Sequence, residues 1–356
     1  MKKISAFQFV VLMFFARGFM SMTSASNTDL NSVSVMAATV LTSLAQAVLV
    51  ICPLVLSIRY PDRDMIQLAF GKSRILGVIL SVVYGVFFVL AGVYSLGMFS
   101  FFIKNNFLEF FDEIIVILSI GAAALYAACL GIEACARTAA AAGVLFVLMF
   151  VIVIFSVTGE YELYNLQIAT IADNGGLSAF LKESGDRLGR SAELVVMIFL
   201  LPHVKSQKAC GAFSYVAVVF AFRELVIFVV TVILGDYAHR LSDPFYALST
   251  YAKTSLVERF DSIYMVVWTL AVFIKISLIF FFGGKCVRNI FPKIPETAAK
   301  SVTAAATVLT AGTLSLLNRW GSSLFKGSSY LVIVVLSGII PLAFCFVKDR
   351  KKTASK

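Results

Sequence analysis

Five ionisable side chains, Arg17, Glu193, Arg223, Glu224 and Lys275, sit inside long apolar stretches of this 356-residue sequence. At the centre of a membrane helix such a group costs about 2.5–3.5 kcal/mol, so each must face protein, water or another charge. Three are positive and two negative, which makes intramembrane ion pairing the plain structural reading, above all for Arg223 and Glu224. Neighbours on a helix point about 100° apart, so those two must find different partners. Asp261, Trp268 and Lys275 are spaced by seven and fall on nearly one line of a helix, with Tyr264 and Ala271 beside it. That stripe turns Lys275 toward the protein interior, either lining a binding site or simply packing. Gly18, directly after Arg17, permits an unwound backbone whose N–H groups can meet an anion. Tyr94 adds a polar tip among apolar neighbours.

Other chemistries fail on spacing. Gly71-Lys72-Ser73 ends like a phosphate-binding loop, but Ile66 stands where the first glycine should be. The two histidines, His203 and His239, have no serine and aspartate companions in a catalytic arrangement. Six cysteines lie in or beside apolar runs without a CxxC pair, which predicts neither a disulfide framework nor a metal centre. The residues therefore predict no enzyme, no cofactor and no metal.

The elements that must position these groups are membrane helices. Apolar residues make up 60% of the chain and charged ones 14%, against roughly 45–50% and about 25% in soluble domains. Runs long enough to cross a bilayer are read at Ile4–Thr23, Val35–Ile58, Ile75–Ile103, Ile114–Leu130 and Thr138–Val157. A second set follows at Leu188–Val204, Ala209–Leu234, Ile263–Phe282, Val302–Leu317 and Tyr330–Val347. The ten spans form one transmembrane domain of two five-helix halves, residues 4–157 and 188–347. An external linker at 158–187 joins them, and a basic tail follows at 348–356. Five spans per half make equivalent helices run in opposite directions, the inverted-repeat architecture of many secondary transporters. The first span of each half is expected to be interrupted: Arg17-Gly18 breaks the first, and the sixth has a clean apolar run only from Ala192 to Pro202.

With the N-terminus inside, cytoplasmic segments carry 18 of the 30 Lys and Arg residues and external segments 9. That asymmetry places both termini in the cytoplasm. It also assigns the net charge of +10 to topology, so nucleic acid is not implied.

Glu258-Arg259-Phe260-Asp261-Ser262, followed by Val266-Val267-Trp268 and the aromatic end Phe280-Phe281-Phe282, resembles the spore germination permease family. Those proteins are the B subunits of nutrient germinant receptors. Glu193 with Leu200-Leu201-Pro202-His203-Val204-Lys205, and Tyr60-Pro61 with Phe70-Gly71-Lys72, are similar to family motifs as well. So are Gly131-Ile132-Glu133 with Arg137, and Ile4-Ser5 with Gln8. The resemblance implies an all-α, leucine-transporter-like fold of the amino acid–polyamine–organocation type. It implies a ligand site for a small germinant, usually an amino acid, at Arg17, Gly18, Phe19, Tyr94, Glu193, Trp268 and Lys275. It also implies A and C receptor subunits as partners, and residence in the inner spore membrane or the cell membrane. The other function this architecture allows is a secondary transporter of amino acids or similar small solutes.

The topology has a direct check. With the native cysteines blocked, a new cysteine replacing Asn174 is expected to react with an impermeant maleimide from outside. One replacing Lys293 should react only after the membrane is opened, and the reverse pattern would invert the assignment.

Overall fold

A computed structural model of the chain describes residues 3–22, 32–61, 63–107, 112–166, 176–241, 243–251, 261–317 and 329–346. These are helical throughout, apart from turns and one isolated bridge. The helices are α1 (Ala6–Met22), α2 (Ser32–Arg59), α3 (Met65–Lys72), α4 (Arg74–Asn106), α5 (Glu113–Leu130) and α6 (Ile132–Ser156). Next come α7 (Gly176–Gly189), α8 (Glu193–Leu200), α9 (Lys208–Leu234), α10 (Pro244–Tyr251), α11 (Asp261–Ile290) and α12 (Glu296–Leu316). The chain closes with α13 (Ser329–Ile333), a π turn at Val334–Ile339 and α14 (Ile340–Cys345).

Among the described residues α2, α4, α5, α6, α9 and α11 are long and apolar enough to cross a membrane. The helix α12 has the length, but its Ala- and Thr-rich sequence is less apolar. Large side chains such as Leu44, Ile79, Tyr126 and Phe155 are exposed on the outer surfaces of these helices, as lipid-facing groups would be. The exception is α11, whose most apolar stretch is 72% buried against 28–44% in the other five. It packs on α1, α4, α5, α6 and α12 and forms the centre of the bundle.

Local chemistry sets the helix ends. Ser5 and Gln8 cap the start of α1 reciprocally: Ser5 N–H donates to Gln8 Oε1 at 3.0 Å and Gln8 N–H to Ser5 Oγ at 3.2 Å. Gly131, at φ +99°, makes the turn between α5 and α6 that a side chain would strain. Pro341 lacks an N–H, and the backbone just before it widens into the π turn. The Leu336 carbonyl there accepts the Tyr84 hydroxyl at 2.7 Å, tying the last span to α4.

The start of the chain is tied across the bundle. Ile4 N–H donates to the His203 carbonyl at 2.8 Å and Lys205 N–H to the Ile4 carbonyl at 3.0 Å, which fastens the start of α1 to the end of the α8 segment. Lys285 Nζ lies 2.7 Å from His203 Nε2 and 3.4 Å from Asp64 Oδ2, adding α11 and the start of α3 to the same knot.

Two expectations meet a different local structure. The helix α1 runs unbroken through Arg17 and Gly18 to Met22, and Arg17 Nη1 and Nη2 bond to tertiary partners without any unwinding. The sixth-span region is two helices, α7 and α8, separated at Arg190-Ser191-Ala192, with α7 lying in what reads as linker. The basic tail at 348–356 is outside the described residues.

Close helix approach identifies a stability test. A Cβ at Gly284 would meet the Lys300 backbone of α12 at 2.9–3.0 Å, whereas one at Gly312 meets nothing within 4 Å. Gly284→Ala is expected to cost about 1–3 kcal/mol through the α11–α12 contact. The resulting fall in Tm can be read in detergent, with Gly312→Ala at or above the wild-type value.

Candidate functional site

The break between α7 and α8 is built by tight local bonding. Ser191 N–H closes onto the Leu188 carbonyl at 2.9 Å and Leu194 N–H onto the Ser191 carbonyl at 3.1 Å, three residues back in each case. The Ser191 hydroxyl also reaches the Arg187 carbonyl at 3.4 Å, a side-chain bond that competes with regular helix. Beyond the break all eight residues of α8 are buried.

Arg17 crosses this gap from α1. Its Nη1 donates to Ser191 Oγ at 2.7 Å and to Glu193 Oε1 and Oε2 at 3.2 and 3.4 Å, while Nη2 reaches the Arg187 carbonyl at 3.4 Å. Two further helices join. Tyr215 of α9 donates its hydroxyl to Glu193 Oε1 at 2.8 Å, and Gln46 of α2 donates Nε2 to Ser191 Oγ at 2.7 Å. At the end of α7, Arg187 pairs with Glu183 at 2.6 Å and donates to Thr39 Oγ1 of α2 at 3.3 Å. Arg17, Glu183, Arg187 and Glu193 are all buried.

The residues expected to form a ligand site divide into those brought together here and those placed elsewhere. Arg17 and Glu193 are in direct contact. Lys275 of α11 is buried within electrostatic reach of both. Tyr94 of α4 is half-buried and within electrostatic reach of Arg190 at the break. Trp268 is seven residues from Lys275, about 10 Å along the helix. It joins an aromatic roof toward the far end, stacked edge-on against Phe99 (centroids 5.7 Å) and beside Tyr264 (6.1 Å). Tyr246 of α10 lies over the same group, 5.3 Å from Phe102. Gly18 and Phe19 belong to α1, but their surroundings fall outside the described residues.

Arg223 is buried within electrostatic reach of Arg17, Arg187, Glu193 and Glu224. The ion pairs around the break among the described residues are Arg17–Glu193 and Glu183–Arg187; Arg223 Nη1 and Glu224 Oε1 are buried and make no hydrogen bond among the described residues. Sequence reasoning missed Ser191, Gln46, Tyr215 and the Glu183–Arg187 pair. Only the last left a signal, opposite charges four residues apart in a segment that otherwise reads as a loop. Among the described residues no three His, Cys, Asp or Glu side chains gather to hold a metal ion.

Residues 2–316 match the model of the spore germination protein family (spore permease), and the chain belongs to that family. It is a membrane protein of the permease type. No curated protein matches the sequence. Among solved structures it is similar to a Na+-coupled sialic acid symporter in a substrate-bound outward-open state. That similarity has 13% identity and a TM-score of 0.49, covering 96% of this chain and 85% of the symporter.

Removing one partner of a buried ion pair strands the other charge, typically at about 3–5 kcal/mol, whereas removing both costs much less. Arg17→Met and Glu193→Leu are each expected to destabilise the protein by about that amount. The double variant should fall well short of the sum, as a thermal-denaturation mutant cycle in detergent would measure.

Proposed function

We propose that this member of the spore germination protein family is the membrane subunit of a nutrient germinant receptor, binding a small amino-acid-like germinant at the α7–α8 break. The observation that carries the reading is the break itself. A polar gap interrupts the sixth-span region deep in an apolar bundle, and α1, α2, α4, α9 and α11 all present polar or charged side chains around it. Interrupted helices at mid-bundle are where transporter-like folds place small polar ligands.

On this reading the ten spans form a 5+5 inverted repeat in which α7 and α8 are the outer and inner parts of the sixth. Both termini are cytoplasmic, and the protein resides in the inner spore membrane or the cell membrane. Arg17, Glu193, Lys275 and Tyr94 line the ligand site, with Gly18 and Phe19 adjacent in α1, and Trp268 belongs to its outer cover. The tie of Ile4 to the α8 segment favours a state closed at the cytoplasmic end. Ligand binding shifts the balance between closed and open arrangements by its differential affinity for the two. Receptor A and C subunits read out that shift.

Deleting the gene is expected to abolish germination in response to at least one nutrient. Lys275→Met, at normal abundance, should abolish the same response. Unchanged germination in the variant removes Lys275 from the site. Saturable solute uptake into vesicles holding this chain alone would establish a transporter instead.

A further inference from the structure

The break is surrounded by more positive than negative charge. Arg17, Arg187, Arg223 and Lys275 are buried there, with relative exposures of 2, 5, 5 and 6%. The carboxylates at the same level are Glu183 and Glu193, both buried, and Glu224, which is half-buried. Among the described residues that is four buried positive groups against two buried carboxylates and the half-buried Glu224, and the half-buried Arg190 and Asp186 beside the break offset each other.

The carboxylates are also unevenly shared. Glu183 is committed to Arg187, its neighbour one turn along α7. Glu193 already accepts from Arg17 and from the Tyr215 hydroxyl, and Lys275 lies within electrostatic reach of the same carboxylate. Two guanidinium donors are left over: Arg17 Nε and Arg223 Nη1 are buried without a hydrogen-bond partner among the described residues. A buried donor without an acceptor is costly, and one on a charged group more so. Arg223 follows Tyr215 by eight residues on the buried face of α9, which sets it about 12 Å farther along the helix. It therefore stands toward the α7 side of the gap while Glu193 stands on the α8 side. A planar carboxylate is the acceptor whose geometry fits guanidinium donors.

We propose that the germinant is a small carboxylate of net charge −1, such as an acidic amino acid, whose extra carboxylate is received by Arg223 with Arg17 beside it. The inference rests on the ligand site proposed above and specifies its chemical class. A net-neutral zwitterion leaves the excess positive charge in place, whereas a monoanion cancels it and supplies the missing acceptor. Arg223 is then a specificity-determining residue.

The test uses the full chain in nanodiscs, titrated with L-glutamate, L-aspartate, L-glutamine and L-alanine in chloride-free buffer, with chloride as a separate titrant. One of the two acidic amino acids should bind at least tenfold more tightly than both L-glutamine and L-alanine. Arg223→Gln should remove that preference and Arg223→Lys should restore part of it, each measured on folded protein, with the unliganded Tm of Arg223→Gln at or above the wild-type value. Where Arg223→Gln does not fold, the Arg223→Lys affinity decides, and an unchanged preference there overturns the assignment. Tighter binding of L-glutamine or L-alanine overturns the charge inference and leaves the ligand site standing. Binding of chloride with none of the four amino acids overturns the organic ligand. No binding of any titrant overturns the inference and the site together.

Discussion

The structure depends on one guanidinium. Arg17 spans the gap between α7 and α8, donating to the Ser191 hydroxyl, to both oxygens of Glu193 and to the Arg187 carbonyl. A buried helix end left without acceptors or donors would strand backbone groups at several kcal/mol each. Arg17 satisfies a carbonyl from the last turn of α7 and the carboxylate that opens α8, and so allows both helices to end at mid-bundle. The interaction also explains its own source. An arginine inside an apolar helix is tolerable only when acceptors meet most of its donors, as Ser191, Glu193 and the Arg187 carbonyl do here.

The rest of the packing protects that contact. At the starting end, Ile4 is bonded across the chain to His203 and Lys205, and Lys285 holds His203 and Asp64. Toward the far end, Phe99, Phe102, Tyr264 and Trp268 fill the space between α4 and α11, and α10 lies across them. Between the two closures the charges sit in a poorly screened medium, where a misplaced partner costs far more than at a surface. Rigid walls and strong internal electrostatics thus come from the same arrangement.

Much of this was legible in the sequence. The apolar runs and the interior stripe of α11 follow from hydropathy and helical period, and the buried charges announce that polar partners must be near. The rest was hidden for physical reasons. The mixed polar composition of α7 (GLSAFLKESGDRLG) resembles a loop, because its charges pair internally, Glu183 with Arg187. The sequence at Arg17-Gly18 looks like an interruption, yet the helix continues, with Arg17 Nη1 and Nη2 bonded to partners far away in sequence. Ser191, Gln46 and Tyr215 are neutral, and neutral polar residues in a span carry no mark that separates a network member from one bonded to its own helix, as Ser81 and Ser277 are. Trp268 and Lys275 share a face, but a shared face says nothing of depth, and seven residues separate roof from site.

A ligand can move this protein only through contacts that differ between its states. Most polar groups at the break are already engaged, and a ligand that took Glu193 or Ser191 would have to give back the bonds Arg17 makes with them. The donors Arg17 Nε and Arg223 Nη1 are different, since using them breaks nothing that exists. Contact there stabilises whichever arrangement brings α1 and α9 together around the ligand. Because Arg17 is bonded to the end of α7 and the start of α8 at once, a small displacement of its guanidinium is felt on both sides of the gap. Packed interiors answer such displacements by switching between discrete arrangements rather than by bending. On the proposed reading, the break is therefore where a small polar molecule has the most leverage over the bundle.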